Sequence, residues 1–486
     1  MSETKCTLLA ESLKEIAARL EQAHKAFQKR HPGAPAGRQP VHVVYGGAQL
    51  FRSGIARRLG ELALRSLDDY APDFVAFAKA IGLPGAARLS DSPGASVGQS
   101  IESDPATARR EHPAEWLAHT VYTRVKEKLR KEPVEDYRID FEDGYGNRPD
   151  AEEDQHALAA AAELSTAMNA GEVPPFIGIR IKPFTEELRE RSIRTLDIFL
   201  TELAMKTRGQ LPENFCVTLP KVTLPDEVAA LADICARMEP MLDLSPGALR
   251  IEVMIETPQA IFNERGEAAA LALVSAARGR CVAAHFGPYD YTASLNIAAP
   301  REALTHPAAQ FARDVLQVAL AGSGVRIANG PVNILPIPRH RIAAGAPAGS
   351  APLTPRQREE NRFTVHAAWK LHFDLVRQSL ANGYYQGWDL HPAQLPTRYA
   401  AVYSFFLENL ESASARLRNF VEQAAQATRI GHVFDDAAMA QGLLSYFSQG
   451  IHSGALTAAE VEERTTLSAA ELRAGSFLQI LEKRRS

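Results

Sequence analysis

Three acidic side chains follow one apolar run of the sequence, at the place where a buried strand would end. Residues 138–146 read RIDFEDGYG. Carboxylates this close repel one another, so Asp140, Glu142 and Asp143 need cations or a metal ion nearby. The alternative is an exposed, solvated acidic turn without a chemical role.

Two further apolar runs carry a cation where a strand would be buried. Residues 178–183 read GIRIKP, and residues 218–222 read TLPKV. A buried guanidinium such as that of Arg180 requires an anionic partner, either a substrate carboxylate or the acids of the preceding strand. Lys221 alone would be a structural ion pair, but a second cation on the neighbouring strand favours an anion site.

Two more runs end in single carboxylates. Residues 251–258 read IEVMIETP, and residues 284–291 read AHFGPYDY. Glu256 and Asp290 would be neighbours at the ends of adjacent strands, and carboxylates completed by water and substrate oxygens suit the octahedral oxygen coordination of Mg²⁺. Each could instead be an acid at a helix N-terminus, where the helix dipole favours negative charge.

The elements that must position these side chains alternate between short strands and longer helices, which is typical of a parallel sheet covered by helices. The predicted strands are Val41–Tyr45, Tyr137–Glu142, Phe176–Lys182, Phe215–Lys221, Arg250–Glu256, Val282–Phe286, Val325–Leu335 and Gly387–His391. Eight such strands predict a (β/α)8 TIM barrel, whose chemistry lies at the carboxyl ends of its strands. The charged strand ends are therefore expected to meet around one site.

Helical periodicity fills most of the remaining chain. The predicted crossover helices are Glu115–Arg130, Glu186–Thr207, Pro225–Met238, Gln259–Ala277, Arg301–Leu320 and Arg362–Ala381. We divide the chain into an N-terminal helix within residues 1–40, a barrel over 41–397 and a C-terminal helical extension over 398–486. The extension is predicted to hold helices at Arg398–Gln426, Asp435–Phe447 and Ala458–Lys483, while Gly82–Pro113 and Ala344–Pro355 are predicted to be irregular.

Composition excludes several classes of protein. The chain has 486 residues, of which 45% are hydrophobic and 23% charged, so it can bury a sizeable core. A net charge of -4 provides no basic field for nucleic acid or anionic membranes. The four cysteines are far apart, no run approaches the roughly 20 apolar residues of a membrane span, and the amino terminus lacks a signal-peptide pattern. These features predict a cytoplasmic protein that binds neither nucleic acid nor membranes.

The charged motifs resemble, in the same order, those of the citrate lyase β-subunit-like group within the HpcH/HpaI aldolase superfamily. The segment DFED at 140–143 resembles that family's Asp-Leu-Glu-Asp turn, and GIRI, LPKV, IET and GPYDY resemble its later strand ends. Residues 387–394, GWDLHPAQ, are similar to its Gly-Lys-x-x-Ile-His-Pro-x-Gln signature. The resemblance covers roughly residues 41–444 and includes the barrel.

The resemblance implies roles for individual residues. Glu256 and Asp290 would bind Mg²⁺, with Mn²⁺ as an alternative, and Arg180 would hold a substrate carboxylate or a developing enolate. Glu142 and Asp143 would orient Arg180 or a metal-bound water, and Lys221 would belong to the same site. Asp435, preferred over Asp436, lies where relatives carry a proposed acid/base; the alternative is a helix N-cap.

The implied reaction is the cleavage or formation of a carbon–carbon bond next to a carboxylate or thioester. The substrate would be an oxo-acid or hydroxy-acid, or a CoA thioester, and the implied assembly is a homo-oligomer, a trimer or hexamer. The chain departs from the family in its length and in Trp388, which stands where the signature has lysine. Two alternatives stay open, a phosphoenolpyruvate- or pyruvate-handling enzyme on the same barrel and a non-catalytic scaffold.

Overall fold

Eight short parallel strands close into a barrel in their order along the chain. They are β1 His42–Gly47, β2 Asp136–Asp140, β3 Phe176–Arg180, β4 Phe215–Leu219, β5 Arg250–Ile255, β6 Cys281–Phe286, β7 Arg326–Pro331 and β8 Gln386–Asp389. The barrel closes because Val44 of β1 stands opposite Tyr137 on one side and Asp389 on the other. The predicted TIM barrel is confirmed in this computed structural model, which describes residues 13–33, 37–90, 95–342, 352–422, 428–430, 433–435, 437–474 and 480.

Helices cover the barrel and extend beyond it at both ends. Along the chain they are α1 Lys14–Arg30, α2 Ile55–Tyr70, α3 Phe74–Ile81, α4 Ala95–Ser103, α5 Pro105–Glu111, α6 Pro113–Lys131, α7 Asp150–Ala170, α8 Arg189–Thr207, α9 Pro225–Met241, α10 Pro258–Ile261, α11 Ala270–Ala276, α12 Pro288–Ser294, α13 Pro307–Leu320, α14 Pro355–Ala381, α15 Leu395–Glu408, α16 Leu410–Glu422, α17 Ala437–His452, α18 Ala458–Thr465 and α19 Ala469–Ala474. Every residue of β2, β3 and β4 is buried, as expected for parallel strands covered by helices.

The region between β1 and β2 is more helical than its composition predicted. The segment predicted to be irregular, Gly82–Pro113, holds α4 and α5, and α5 starts where the Asp104 side chain accepts a hydrogen bond from the Thr107 amide. That prediction was wrong because short capped helices lack enough turns to show an apolar period. Most of the second irregular segment, Ala344–Pro355, lies outside the described residues.

Two crossovers also differ from the prediction. Helix α7 links β2 to β3 and was not predicted, because its buried face consists largely of small alanines such as Ala157, Ala160 and Ala161. The single helix predicted over Gln259–Ala277 is two helices, α10 and α11. They are separated by a turn in which the Asn263 side chain accepts hydrogen bonds from the amides of Arg265 and Glu267.

The two ends of the chain are helical as predicted, with differences in detail. None of the residues of α1 is buried, and the helix ends at Arg30, within the N-terminal segment 1–40 that was predicted to hold it. The long helix predicted from Arg398 is divided into α15 and α16, and a two-stranded antiparallel sheet of β9 Thr428–Ile430 and β10 Val433–Asp435 precedes α17. Across the described part of the chain, no helix is long and apolar enough to cross a membrane.

A layer of charged side chains crosses the interior of the barrel. Arg138 of β2 donates to both carboxylate oxygens of Glu252 on β5, at 3.2 and 2.7 Å, and it also pairs with Asp136. The Thr218 hydroxyl of β4 donates to Glu252 at 2.7 Å. These groups are fully buried, so their charges are compensated by one another rather than by water. The layer supports the residues that face the cavity described next.

Candidate active site

A cavity of about 390 Å³ opens at the carboxyl ends of the barrel strands. Its lining includes side chains from six different strand ends or the loops that follow them. They are Tyr45, Asp143, Arg180, Glu256, Asp290 and Trp388. Four of these six were predicted as site residues from the sequence, whereas Tyr45 and Trp388 were not.

Arg180 is held in one orientation by a carboxylate and two aromatic rings. Its Nε and Nη2 donate to the two carboxylate oxygens of Asp140 at 2.7 and 2.6 Å, and its guanidinium lies 4.7 Å from the Tyr45 ring centre and 5.5 Å from that of Trp388. Only 1% of the Arg180 side chain is exposed. Burial alone would lower the pKa of Arg180, but Asp140 and Glu142 raise it above its ordinary value, so the group is a fixed positive charge.

Asp140 is the main partner of Arg180, whereas the sequence predicts that Glu142 and Asp143 orient this guanidinium. The Asp140 carboxylate also accepts hydrogen bonds from the backbone amides of Glu142 and Gly144, at 3.0 and 2.8 Å. Glu142 does contact Arg180, with its Oε2 3.1 Å from Nη1, and Asp143 is more distant at 3.8 Å. Asp140 therefore shapes the acidic turn and fixes the guanidinium at the same time.

Lys221, which follows β4, binds the acidic turn. Its Nζ lies 2.5 Å from Glu142, 3.4 Å from Asp143 and 3.5 Å from Asp290. The residue has a left-handed backbone, with φ of 52°, which is uncommon for a side chain of this size. Burial opposes the charge on Lys221, but Glu256 and the acids of the turn raise its pKa above the ordinary value.

Glu256 and Asp290 lie together, as predicted for metal ligands. Glu256 is 1% exposed, and its Oε1 accepts the backbone amide of Lys221 at 2.7 Å. Burial and the nearby Asp290 charge raise the pKa of Glu256 to about 8. Gly287 makes room for this carboxylate, because a Cβ at that position would stand 2.2 Å from Glu256 Oε2. The pair is therefore electrostatically unbalanced in the absence of a further cation.

The donor set fits a hard divalent cation. Among the described residues, no three His, Cys, Asp or Glu side chains converge as a complete metal cage. Mg²⁺ is nevertheless commonly held by one or two carboxylates, with waters and substrate oxygens as its other ligands. Glu256 and Asp290 supply that minimal set next to an open cavity.

The remaining predicted residue is on a different element. Asp435 ends β10, where it stands opposite Thr428 in the small sheet that is separate from the barrel. Its side chain, and the whole of Asp436, lie outside the described residues. Arg180, Glu142, Asp143, Lys221, Glu256 and Asp290 are thus brought together by the fold, and the acid/base role of Asp435 stays a prediction.

Comparison with solved structures places the barrel among known folds. A citrate lyase from Burkholderia xenovorans superposes with a TM-score of 0.50 at 18% identity, over 70% of this chain and 91% of that protein. Mycobacterium tuberculosis CitE, solved with magnesium, acetoacetate and coenzyme A, gives 0.44 at 13% identity over 86% and 98% of the two chains. Haloferax volcanii malate synthase gives 0.36 at 15% identity over 70% and 89%.

The predicted resemblance to the citrate lyase β-subunit group is confirmed at the level of the fold by the Burkholderia structure. No curated protein matches the sequence. The model of one family, described as a domain of unknown function (DUF6986), matches residues 20–480. Because that match spans nearly the whole chain, this protein belongs to the DUF6986 family.

Proposed function

We propose that this chain is a Mg²⁺-dependent lyase that cleaves or forms a carbon–carbon bond next to the carboxylate of an oxo-acid or hydroxy-acid. The observation that carries the proposal is the buried Glu256 beside Asp290, in the same cavity as the fixed guanidinium of Arg180. Two carboxylates that hold a divalent ion and one cation that faces the same cavity are what an enolate-forming reaction requires.

The charge balance of the site supports a missing cation. Its carboxylates are Asp140, Glu142, Asp143, Glu256 and Asp290, and its cations are Arg180 and Lys221. Five carboxylates against two cations leave an excess of three negative charges when all are ionised. Asp140, Glu142 and Glu256 are buried, so an excess of negative charge around them favours either protonation or the binding of a divalent ion.

Each residue then has a defined task. Mg²⁺ held by Glu256 and Asp290 would supply a Lewis acid that polarises the oxo group of the substrate. Arg180 supplies a fixed positive charge at the cavity wall for the oxygen on which negative charge develops, and Asp140 prevents it from turning away. Lys221 holds Glu142 and Asp143 in place. Asp435 is our candidate acid/base for the hydroxyl proton.

A substrate panel with metal control tests this function. The full chain is assayed with Mg²⁺ or Mn²⁺, and with a chelator, on small hydroxy-acids and oxo-acids and on their CoA thioesters. We expect cleavage of at least one compound that requires the metal. Phosphate release from phosphoenolpyruvate without cleavage of any acid would favour the phosphoenolpyruvate-handling alternative instead.

Variants separate a metal site from a structural ion pair. Glu256→Gln and Asp290→Asn should each abolish calorimetric Mg²⁺ binding and turnover together. Asp233→Asn is the matched control, because its carboxylate is 46% exposed and pairs with Arg278 at the surface. Full turnover in both site variants would contradict the metal assignment, and absence of Mg²⁺ binding by the wild-type chain would favour a non-catalytic barrel.

A further inference from the structure

Three polar groups lie together in the barrel interior beside the cavity. The Tyr45 hydroxyl, at the end of β1, lies 3.0 Å from Nδ1 of His285 on β6. The other ring nitrogen of His285, Nε2, lies 2.9 Å from Oε2 of Glu252 on β5. The Tyr45 hydroxyl also donates to Oε1 of Glu252 at 3.2 Å, so the hydroxyl, imidazole and carboxylate contact one another, and Tyr45 lines the cavity.

The three groups differ in their access to the cavity. His285 is 2% exposed and Glu252 is fully buried, whereas Tyr45 is half-buried. Arg138 and Thr218 hold Glu252 in place through three hydrogen bonds. The imidazole therefore lies between the held carboxylate and the phenol, and of the three residues only Tyr45 lines the cavity.

The electrostatics keep the two ends in opposite protonation states. Burial, together with the Glu252 charge, raises the pKa of Tyr45 well above its ordinary value, so the phenol keeps its proton. Burial would raise the pKa of Glu252, but Arg138 and His285 hold it well below its ordinary value, so the carboxylate stays ionised. A neutral hydroxyl that cannot hold a negative charge can still pass a proton along.

We propose that Tyr45, His285 and Glu252 form a proton relay that moves a proton between the substrate carbon next to the oxo group and the barrel interior. The inference rests on the proposed function, because it assigns one of the two proton transfers that carbon–carbon cleavage requires. Tyr45 is the residue that touches the substrate, and His285 and Glu252 position it and share the proton. Asp435 would then transfer the other proton, that of the substrate hydroxyl.

The step balances without any further reactant. The C–H bond next to the oxo group breaks, and its electron pair forms the enolate. The released proton binds the Tyr45 oxygen while the phenolic proton passes to Nδ1 of His285. The imidazolium that results carries its positive charge 2.9 Å from the Glu252 carboxylate, which compensates it. The reverse sequence protonates the enolate after carbon–carbon cleavage.

The relay narrows the substrate class. If Tyr45 exchanges a proton at the carbon next to the oxo group, the substrate must be an oxo-acid with at least one hydrogen on that carbon. Pyruvate and 2-oxobutyrate meet the requirement, whereas glyoxylate has no such hydrogen. Pyruvate and 2-oxobutyrate should therefore exchange that hydrogen for deuterium on the Mg²⁺-loaded chain.

Proton exchange in D₂O tests the relay separately from turnover. Loss of the pyruvate methyl signal is followed by proton NMR with the full, Mg²⁺-loaded chain and its variants. Tyr45→Phe keeps the ring against Arg180 and Trp388 but removes the hydroxyl. We expect it to slow exchange by about 10²–10⁴-fold, the usual contribution of a positioned acid or base. Calorimetric binding of Mg²⁺ and pyruvate should stay at the wild-type level.

Two further variants complete the test. His285→Asn should slow exchange as Tyr45→Phe does, even though it removes no group in reach of the cavity. Tyr384→Phe is the control, because it removes a buried hydroxyl that donates to the Arg313 carbonyl outside the cavity, and its exchange should equal that of the wild type. Thermal unfolding of each variant reports whether it is folded.

The outcomes distinguish the relay from the proposed function. Wild-type rates of exchange in a folded Tyr45→Phe chain would overturn the relay and leave the proposed function untouched. No exchange by the wild-type chain would also overturn the relay, and the substrate panel alone would then decide the function. If an Asp435→Asn chain lost exchange while Tyr45→Phe exchanged normally, Asp435 rather than Tyr45 would be the residue that moves the proton at the carbon next to the oxo group.

Discussion

Replacing Asp140 with alanine removes the carboxylate that fixes Arg180. Asp140 is fully buried and Arg180 is 1% exposed, so water cannot easily take the place of the lost partner. The substitution breaks two charge-assisted hydrogen bonds, of 2.7 and 2.6 Å, and leaves the backbone amides of Glu142 and Gly144 without their acceptor. The prediction is a large loss of stability together with a loss of activity.

The magnitude follows from the burial of the pair. Removing one partner of a buried ion pair costs about 3–5 kcal/mol, because the remaining charge is left uncompensated. Glu142 still lies 3.1 Å from Arg180 and supplies part of the compensation, so we expect the lower end, about 3 kcal/mol. Urea denaturation followed by circular dichroism measures this change as a lower midpoint.

Two companion variants check the reasoning. Asp233→Ala breaks an exposed pair with Arg278 and should cost less than about 1 kcal/mol. The double variant of Asp140→Leu with Arg180→Met removes both charges and should be more stable than Asp140→Ala, although inactive. A loss below about 1 kcal/mol in Asp140→Ala would refute the claim that this carboxylate compensates a buried guanidinium.

Three further predictions concern the proposed metal ligands Glu256 and Asp290 and the closure of the barrel between β1 and β8. Because folding raises the pKa of Glu256 from its ordinary value near 4.5 to about 8, the metal-free native chain binds a proton that the unfolded chain releases. Stability should therefore fall as the pH rises from about 4.5 to 8, by about 5 kcal/mol, and Glu256→Gln should flatten this slope in urea titrations with chelator. Gly287→Ala should weaken Mg²⁺ binding, measured by calorimetry, at least about tenfold, because the added methyl group displaces Glu256. Gly442→Ala is the control, because nothing lies within 4 Å of its added methyl group, and it should bind Mg²⁺ as the wild type does. Equal Mg²⁺ affinities of the two variants would be inconsistent with the geometry of the site. Asp389→Ala should lower the unfolding free energy by about 3–5 kcal/mol, because this fully buried carboxylate of β8 pairs with His42, His372 and Arg398. A near-neutral result in thermal and urea unfolding would show that the closure of the barrel between β1 and β8 does not depend on Asp389.

The barrel and most of the charged site could be predicted from sequence because both leave a local signal. A strand buried on both faces is an uninterrupted apolar run, so a charge at its end, such as Glu256 or Arg180, stands out. The closed parallel sheet then brings these ends together whatever the loops between them do. Six of the seven predicted site residues meet in this way, and Asp435 is on a separate sheet.

The missed residues carried no such signal. Tyr45 is an aromatic residue in an apolar strand, which sequence alone cannot distinguish from a core residue. What marks Tyr45 as a candidate site residue is its contact with His285 and Glu252. These residues are 240 and 207 positions away in the chain, so the contact cannot be read from local sequence. Asp140 was visible as one of three clustered acids, but which of them binds Arg180 depends on the register of β2 against β3.

The central claim is that Glu256 and Asp290 hold a divalent ion on which an oxo-acid is bound and polarised. A crystal grown with Mn²⁺ and soaked with pyruvate tests it directly, because the anomalous signal of the metal locates it without ambiguity. We predict one anomalous peak in contact with both carboxylates and with the oxygens of pyruvate, beside Arg180. An empty cavity at saturating metal, or a peak bound elsewhere on the chain, would contradict the account.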